Sequence, residues 1–88
     1  MNVTFSNQFQ KQIKKLKNKE LASHVEQAIL SVMDAPSISY IRNIKKLKGH
    51  TNAYRIKLGD YRLGLYIFDD LVEFICFLHR KDVYKYFP

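Results

Sequence analysis

An α+β fold follows from three features of this 88-residue chain. Two stretches with apolar residues three and four apart follow a short apolar segment. Strand-like stretches fill most of the second half, and tight-turn residues separate them. The predicted order is an N-terminal strand, a two-helix hairpin and a three-stranded antiparallel meander packed on the helices. A chain of this length, 47% hydrophobic, buries one modest core, so residues 1–88 are taken as a single domain.

Val3 and Phe5 mark the first strand, which ends at Ser6, a residue suited to cap a helix because its hydroxyl accepts a free backbone N–H. Phe9, Ile13 and Leu16 then keep helical spacing, with Lys11, Lys14, Lys15 and Lys17 on the outer face. Asn18 starts a turn. Leu21, Val25, Ala28, Ile29, Val32 and Met33 carry a wider apolar stripe, which Ala35-Pro36 ends, since the residue before proline is pushed out of helical geometry. From Ser37 to Gly49 neither period fits, and the stretch is taken as a connector. Tyr54 to Leu58 alternates apolar and basic residues as a half-buried strand does. Gly59-Asp60 makes a tight turn, Tyr61 to Phe68 is the next strand, and Asp69-Asp70 turns into a third, Leu71 to Leu78, apolar enough for a sheet centre.

The chain carries 15 Lys and Arg against 8 Asp and Glu, a formal charge of +7. Such a field favours anionic partners, nucleic acid or an acidic protein, although it also serves solubility. No apolar run is long enough to span a bilayer and the N-terminus lacks a signal-peptide pattern, so a cytoplasmic location without membrane contact is expected. Cys76 stands alone inside Phe74-Ile75-Cys76-Phe77-Leu78 and reads as a small buried hydrophobe. His24 and His50 have no partners at metal-ligand spacing. They are read as a helix-face residue and a loop residue, and no metal or cofactor is expected. A Gly-rich phosphate loop and a nucleophile elbow are both lacking.

Strand parity places Tyr54, Ile56 and Leu58 on one face and Arg55 and Lys57 on the other. In the next strand Arg62, Gly64, Tyr66 and Phe68 share the non-core face. The turn at Gly59-Asp60 brings Lys57 and Arg62 close, and like charges opposed across a sheet are destabilising. A bound phosphate is one reason for such a pair, since arginine offers a planar fork and lysine a point charge. A solvated face with Glu73 or the C-terminus as counter-charge is the other. Gly64 either leaves room for a ligand near the backbone or marks a bulge or plain packing. Tyr66 offers a face for base stacking or is simply structural. After the third strand, His79, Arg80, Lys81 and Tyr84 gather acid–base groups and cations at the end of a rigid element. That grouping suits phosphoryl chemistry, against the alternative of a polar tail with Tyr84 and Phe87 docked on the core.

Leu47-Lys48-Gly49, the run from Tyr54 to Leu63 and His79-Arg80-Lys81-Asp82-Val83-Tyr84 together resemble the RelE/ParE toxin superfamily. The likeness covers the second half of the chain continuously and the first half as architecture. It implies a RelE-like fold and a metal-independent endoribonuclease that cuts messenger RNA, usually in the ribosomal A site, by attack of a ribose 2′-hydroxyl on the adjacent phosphate. By position, Arg55 and Lys57 match the family's first basic pair, Arg62 the arginine of the next strand, and Arg80 and Tyr84 its C-terminal arginine and tyrosine. Lys57, Arg62, Arg80, Tyr84 and His79 are thus the catalytic candidates, and Arg55, Lys57, Arg62, Tyr66 and Lys81 the phosphate or RNA contacts. Arg55 stands where RelE has lysine and stays charged, which leaves proton abstraction to Tyr84, Lys57 or His79. The resemblance also admits two other functions, ParE-like inhibition of DNA gyrase and an inactive module that binds antitoxin or RNA. All three imply a cognate, acidic antitoxin.

Overall fold

The computed structural model describes all residues, Met1–Pro88. Strand β1 (Asn2–Phe5) stops at Ser6, whose hydroxyl accepts from Phe9 N–H at 3.0 Å and so caps α1 (Asn7–Lys14). Asn18 does the same for α2 (Lys19–Asp34) through Leu21 N–H, also at 3.0 Å, and Ala35-Pro36 ends that helix. One turn of 3-10 helix (Ile38–Tyr40) follows.

The connector anticipated between Ser37 and Gly49 is not featureless. Ile44–Lys46 form a short strand, β2, antiparallel to β3 (Ala53–Leu58). With β4 (Tyr61–Phe68) and β5 (Leu71–His79) the meander is therefore four-stranded. Because β1 pairs in parallel with β5, the five-stranded sheet runs β1-β5-β4-β3-β2. Gly59, at φ +57, makes the two-residue turn between β3 and β4, a backbone shape that glycine adopts without a Cβ penalty.

Register slips once. Gly64 faces Cys76 but Leu65 faces Phe74, so Ile75 is an extra residue in β5. β1 has ended by then, which leaves the outer edge of β5 without a strand partner. Side chains of the α1 region take over: Ser6 Oγ donates to Ile75 C=O at 2.6 Å, and Gln12 Oε1 accepts from Phe77 N–H at 2.7 Å. Both buried backbone groups are thereby satisfied.

The slip divides the apolar residues between the two faces of the sheet. Phe9, Val25 and Val32 of the helices pack with Ile56, Leu63, Leu65, Ile67, Val72, Phe74 and Phe77 on one face. On the other, Leu47, Ala53, Cys76, Val83 and Phe87 form a smaller cluster. A short helix, α3 (Val83–Tyr86), folds the tail back over this second face and buries Val83 and Phe87 while Tyr84 stays exposed. Of the two readings of Gly64, packing holds: a Cβ there would sit 2.7 Å from Cys76 Sγ and 2.8 Å from the Phe87 ring. No space is left for a ligand. Gly64→Ala is accordingly expected to cost about 1–3 kcal/mol through overpacking. Urea denaturation followed by circular dichroism measures the loss, and Phe87→Ala in the same background should recover part of it.

Candidate functional site

The face that carries α3 also carries the cations. Across it Lys45 of β2 is paired with Arg55 of β3, and Lys57 of β3 with Arg62 of β4. Two like-charged pairs thus stand side by side on adjoining rungs of the ladder, against the general rule of sheet pairing. None of these four cations has a carboxylate partner. The one ion pair of the chain joins Arg80 Nε to Asp60 Oδ1 at 3.9 Å, a long, exposed contact worth little by itself. Backbone carbonyls orient the arginines instead: Arg55 Nη1 donates to Asn43 C=O at 2.8 Å, and Arg62 Nη1 to Gly59 C=O at 2.7 Å and Tyr61 C=O at 2.8 Å. Arg55 Nε is buried without any acceptor.

The remaining candidates divide. Tyr66 lies on the cation face, at the far end from Lys57 and Arg62, with its ring 5.4 Å from Phe87 and 6.2 Å from Phe68. Arg80, at the end of β5, is tied to the β3–β4 turn, since its N–H donates to Asp60 C=O at 2.8 Å. Lys81 is exposed in the following turn. His79 belongs to the opposite face: it pairs with Tyr61, and its ring meets the Tyr61 ring edge-on at 5.4 Å. Its Nδ1 also accepts from Lys81 N–H at 3.2 Å, so that nitrogen is occupied. His79 is therefore not gathered with Arg55, Lys57 and Arg62. Tyr84 leaves α3 on the side of the β2–β3 turn and lines a shallow depression with Leu47, Lys48, His50, Phe87 and Pro88.

A protein-family model described as ParE toxin of type II toxin–antitoxin systems matches residues 3–84. The chain belongs to the RelE/ParE toxin family. Toxin RelE3 of Methanocaldococcus jannaschii is 35% identical over 89 residues, covering 100% of both chains. The crystal structure of a RelB–RelE antitoxin–toxin complex from Methanococcus jannaschii is similar to this toxin with a TM-score of 0.77 and 33% identity, over 96% of this chain and 98% of that one. The intact Escherichia coli RelBE complex is also similar, with a TM-score of 0.70 and 26% identity over 89% of this chain and 94% of the other.

On this face of the toxin both arginines are held by backbone carbonyls, and none of the four cations is paired with an acid. Cys76 takes no part. Burial pushes its thiol up to about 11, which keeps it protonated, and it packs beside Gly64 as an apolar group. Sequence spacing missed Lys45, because β2 was not recognised as a strand. It also missed the meeting of Lys48 and His50 with Tyr84, which depends on where α3 folds back.

Proposed function

We propose that the toxin is a metal-independent endoribonuclease that cuts messenger RNA on the ribosome and so inhibits translation. The observation that carries this reading is the pair of opposed cation rungs, Lys45–Arg55 and Lys57–Arg62, without counter-charge. Phosphate oxygens supply the missing counter-charge, and the charge that builds on the equatorial oxygens as phosphorus becomes five-coordinate is where such donors act most strongly. Arg55, Lys57 and Arg62 hold the scissile phosphate, the arginines through the guanidinium N–H groups that their carbonyl partners leave free. Arg80 and Lys81 extend the positive field past the strand end, and Tyr66 supports a neighbouring base. Tyr84 is an acid–base group on this side of the sheet, while His79, turned to the helix side, is the weakest of the catalytic candidates. The reaction joins the 2′-oxygen to phosphorus and releases the 5′-oxygen, and the protein supplies position and charge.

Two solved relatives are complexes with RelB antitoxins. With a net charge of +7, this toxin is suited to an acidic antitoxin of its own, in the cytoplasm where messenger RNA is translated.

The test is expression in cells followed by mapping of transcript 5′ ends. Wild type is expected to generate new ends within coding regions, and Arg62→Ala to lower their abundance by roughly 10²-fold or more, as loss of one transition-state donor does. Intact transcripts together with trapped gyrase–DNA cleavage complexes would instead assign the toxin to gyrase inhibition. Neither effect, with antitoxin binding retained, would make it an inactive binding module.

A further inference from the structure

Both arginines of the cation face are held by the carbonyl of a residue in left-handed conformation. Gly59, at φ +57, accepts from Arg62 Nη1 at 2.7 Å, and Asn43, at φ +62, accepts from Arg55 Nη1 at 2.8 Å. Glycine takes that shape without strain, whereas among residues that carry a Cβ asparagine is one of the few that enter it routinely. We infer that Asn43 is a positioning residue of the RNA site: its left-handed turn aims a carbonyl at Arg55 and fixes the guanidinium for a phosphate. The inference rests on the nuclease reading above and adds a residue to it.

Three observations support it. First, the Asn43 carbonyl takes two donors, Lys57 N–H at 3.1 Å and Arg55 Nη1 at 2.8 Å. The Lys57 bond extends the ladder one step past Ile44–Ile56, the first pair of β2 with β3. The Arg55 bond adds nothing to that ladder and fixes a side chain instead. The Asn43 side chain is itself exposed and makes no hydrogen bond, so what this residue contributes is backbone shape. Second, the half-buried guanidinium is held from one side only. Nε is buried and Nη1 is bonded, while Nη2 is neither, so the plane of the group is set and Nη2 keeps its N–H donors for a ligand. Third, the two carbonyls serve one site. Lys57 shares its face with Arg55, about 7 Å along β3 at roughly 3.3 Å per residue, and stands directly opposite Arg62. Asn43 and Gly59 thus fix the two arginines that flank Lys57.

Holding Arg55 in advance matters for the chemical step more than for capture of the RNA. A free guanidinium still meets a phosphate by charge alone, but it must be ordered again as charge builds on the phosphate oxygens. One already fixed by the Asn43 carbonyl needs no such reordering. Loss of the left-handed turn should therefore slow cleavage by bound toxin and leave the concentration needed for binding unchanged.

The experiment is single-turnover cleavage of a short messenger RNA on programmed ribosomes over a range of toxin concentrations. It compares wild type, Asn43→Gly, Asn43→Ala and Asn43→Val, each also combined with Arg55→Lys. Asn43→Gly keeps the left-handed turn and should cleave within about twofold of wild type. Asn43→Ala should be slower by about threefold and Asn43→Val by about tenfold, the order in which a Cβ and then a branched Cβ resist that conformation, with the half-saturating concentration unchanged. Lysine has no Nη1 to be held, so in the Arg55→Lys background the same substitutions should change the rate by less than about twofold, a non-additivity that a purely structural role does not produce. Circular dichroism sets a temperature at which every variant is folded, and if Asn43→Val does not fold, Asn43→Ala carries the same comparison. Asn43→Gly as slow as Asn43→Val, all three variants at the wild-type rate, or equal losses with and without Arg55→Lys would each overturn the role of Asn43 and leave the nuclease reading standing, because wild type still cleaves. No cleavage by wild type overturns the nuclease reading itself, and the role of Asn43 with it.

Discussion

Lys57→Gln is expected to make the toxin slightly more stable and, at the same time, nearly inactive. Lys57 stands directly opposite Arg62, and neither side chain has a carboxylate partner. Opposed like charges on a sheet cost about 0.2–1 kcal/mol, and removing one of them recovers that amount. The Lys57 side chain is exposed and makes no hydrogen bond of its own, so nothing offsets the gain. Arg62 is a poorer choice for the same measurement, because it also donates to Gly59 and Tyr61 carbonyls. On the activity side, a cation aimed at the charge developing on a phosphate is worth about 2.7–4 kcal/mol, so cleavage should fall by roughly 10²–10³-fold. Urea titration gives the stability, and single-turnover cleavage of programmed messenger RNA gives the activity. Raised salt should erase the stability gain in step with screening, since the Debye length falls from about 10 Å at 0.1 M to about 3 Å at 1 M. A variant that loses stability together with activity would assign Lys57 to the fold and not to a phosphate.

That opposition of Lys57 and Arg62 was readable from the sequence because it depends only on local quantities: period-two alternation and a two-residue turn at Gly59-Asp60. The helices were readable for the same reason, down to Ser6 as the cap of α1 and Ala35-Pro36 as the stop of α2. What escaped depends on distant parts of the chain. β2 has three residues, too few to show a period, and exists because β3 offers it an edge, so Lys45 was left in a connector. His79 escaped through the bulge. Val72 and Phe74 face the helices, and unbroken alternation would put Phe77 and His79 on the cation face. The extra residue, Ile75, reverses the parity and turns both toward the helices. α3 has four residues, below any helical repeat, and Phe87 fixes its position by filling the space beside Gly64. The candidate site was thus half legible: its cations lie on local strands, while the setting of Tyr84 is tertiary.

Phe74→Ala is expected to have the largest effect on stability. Phe74 is fully buried, pairs with Phe5 of β1 and with Leu65 of β4, and its ring lies 5.6 Å from both Phe5 and Phe9. Phe5 and Phe9 stack in turn at 5.7 Å, so the three rings join β1, α1 and β5 in one contact. Truncating a buried phenylalanine to alanine costs about 3–5 kcal/mol, part for lost transfer energy and part for the cavity left behind. A domain of this kind has about 5–15 kcal/mol in all. At about 4–8 °C per kcal/mol for a chain of this size, the melting temperature should fall by tens of degrees. The loss should also be polarised. Without the Phe74 ring α1 is loosened, and Ser6 and Gln12 then no longer hold Ile75 C=O and Phe77 N–H at the bulge that orients the end of β5. Arg80 and α3 follow that strand end, so cleavage should decline at temperatures where the fold is still intact. Hydrogen exchange reports this directly: the Phe77 amide should lose protection before the β3–β4 amides do. Equal loss of protection across β3, β4 and β5, or a fall in melting temperature under about 5 °C, would show that the aromatic triad does not couple the helix to the strand that carries the site.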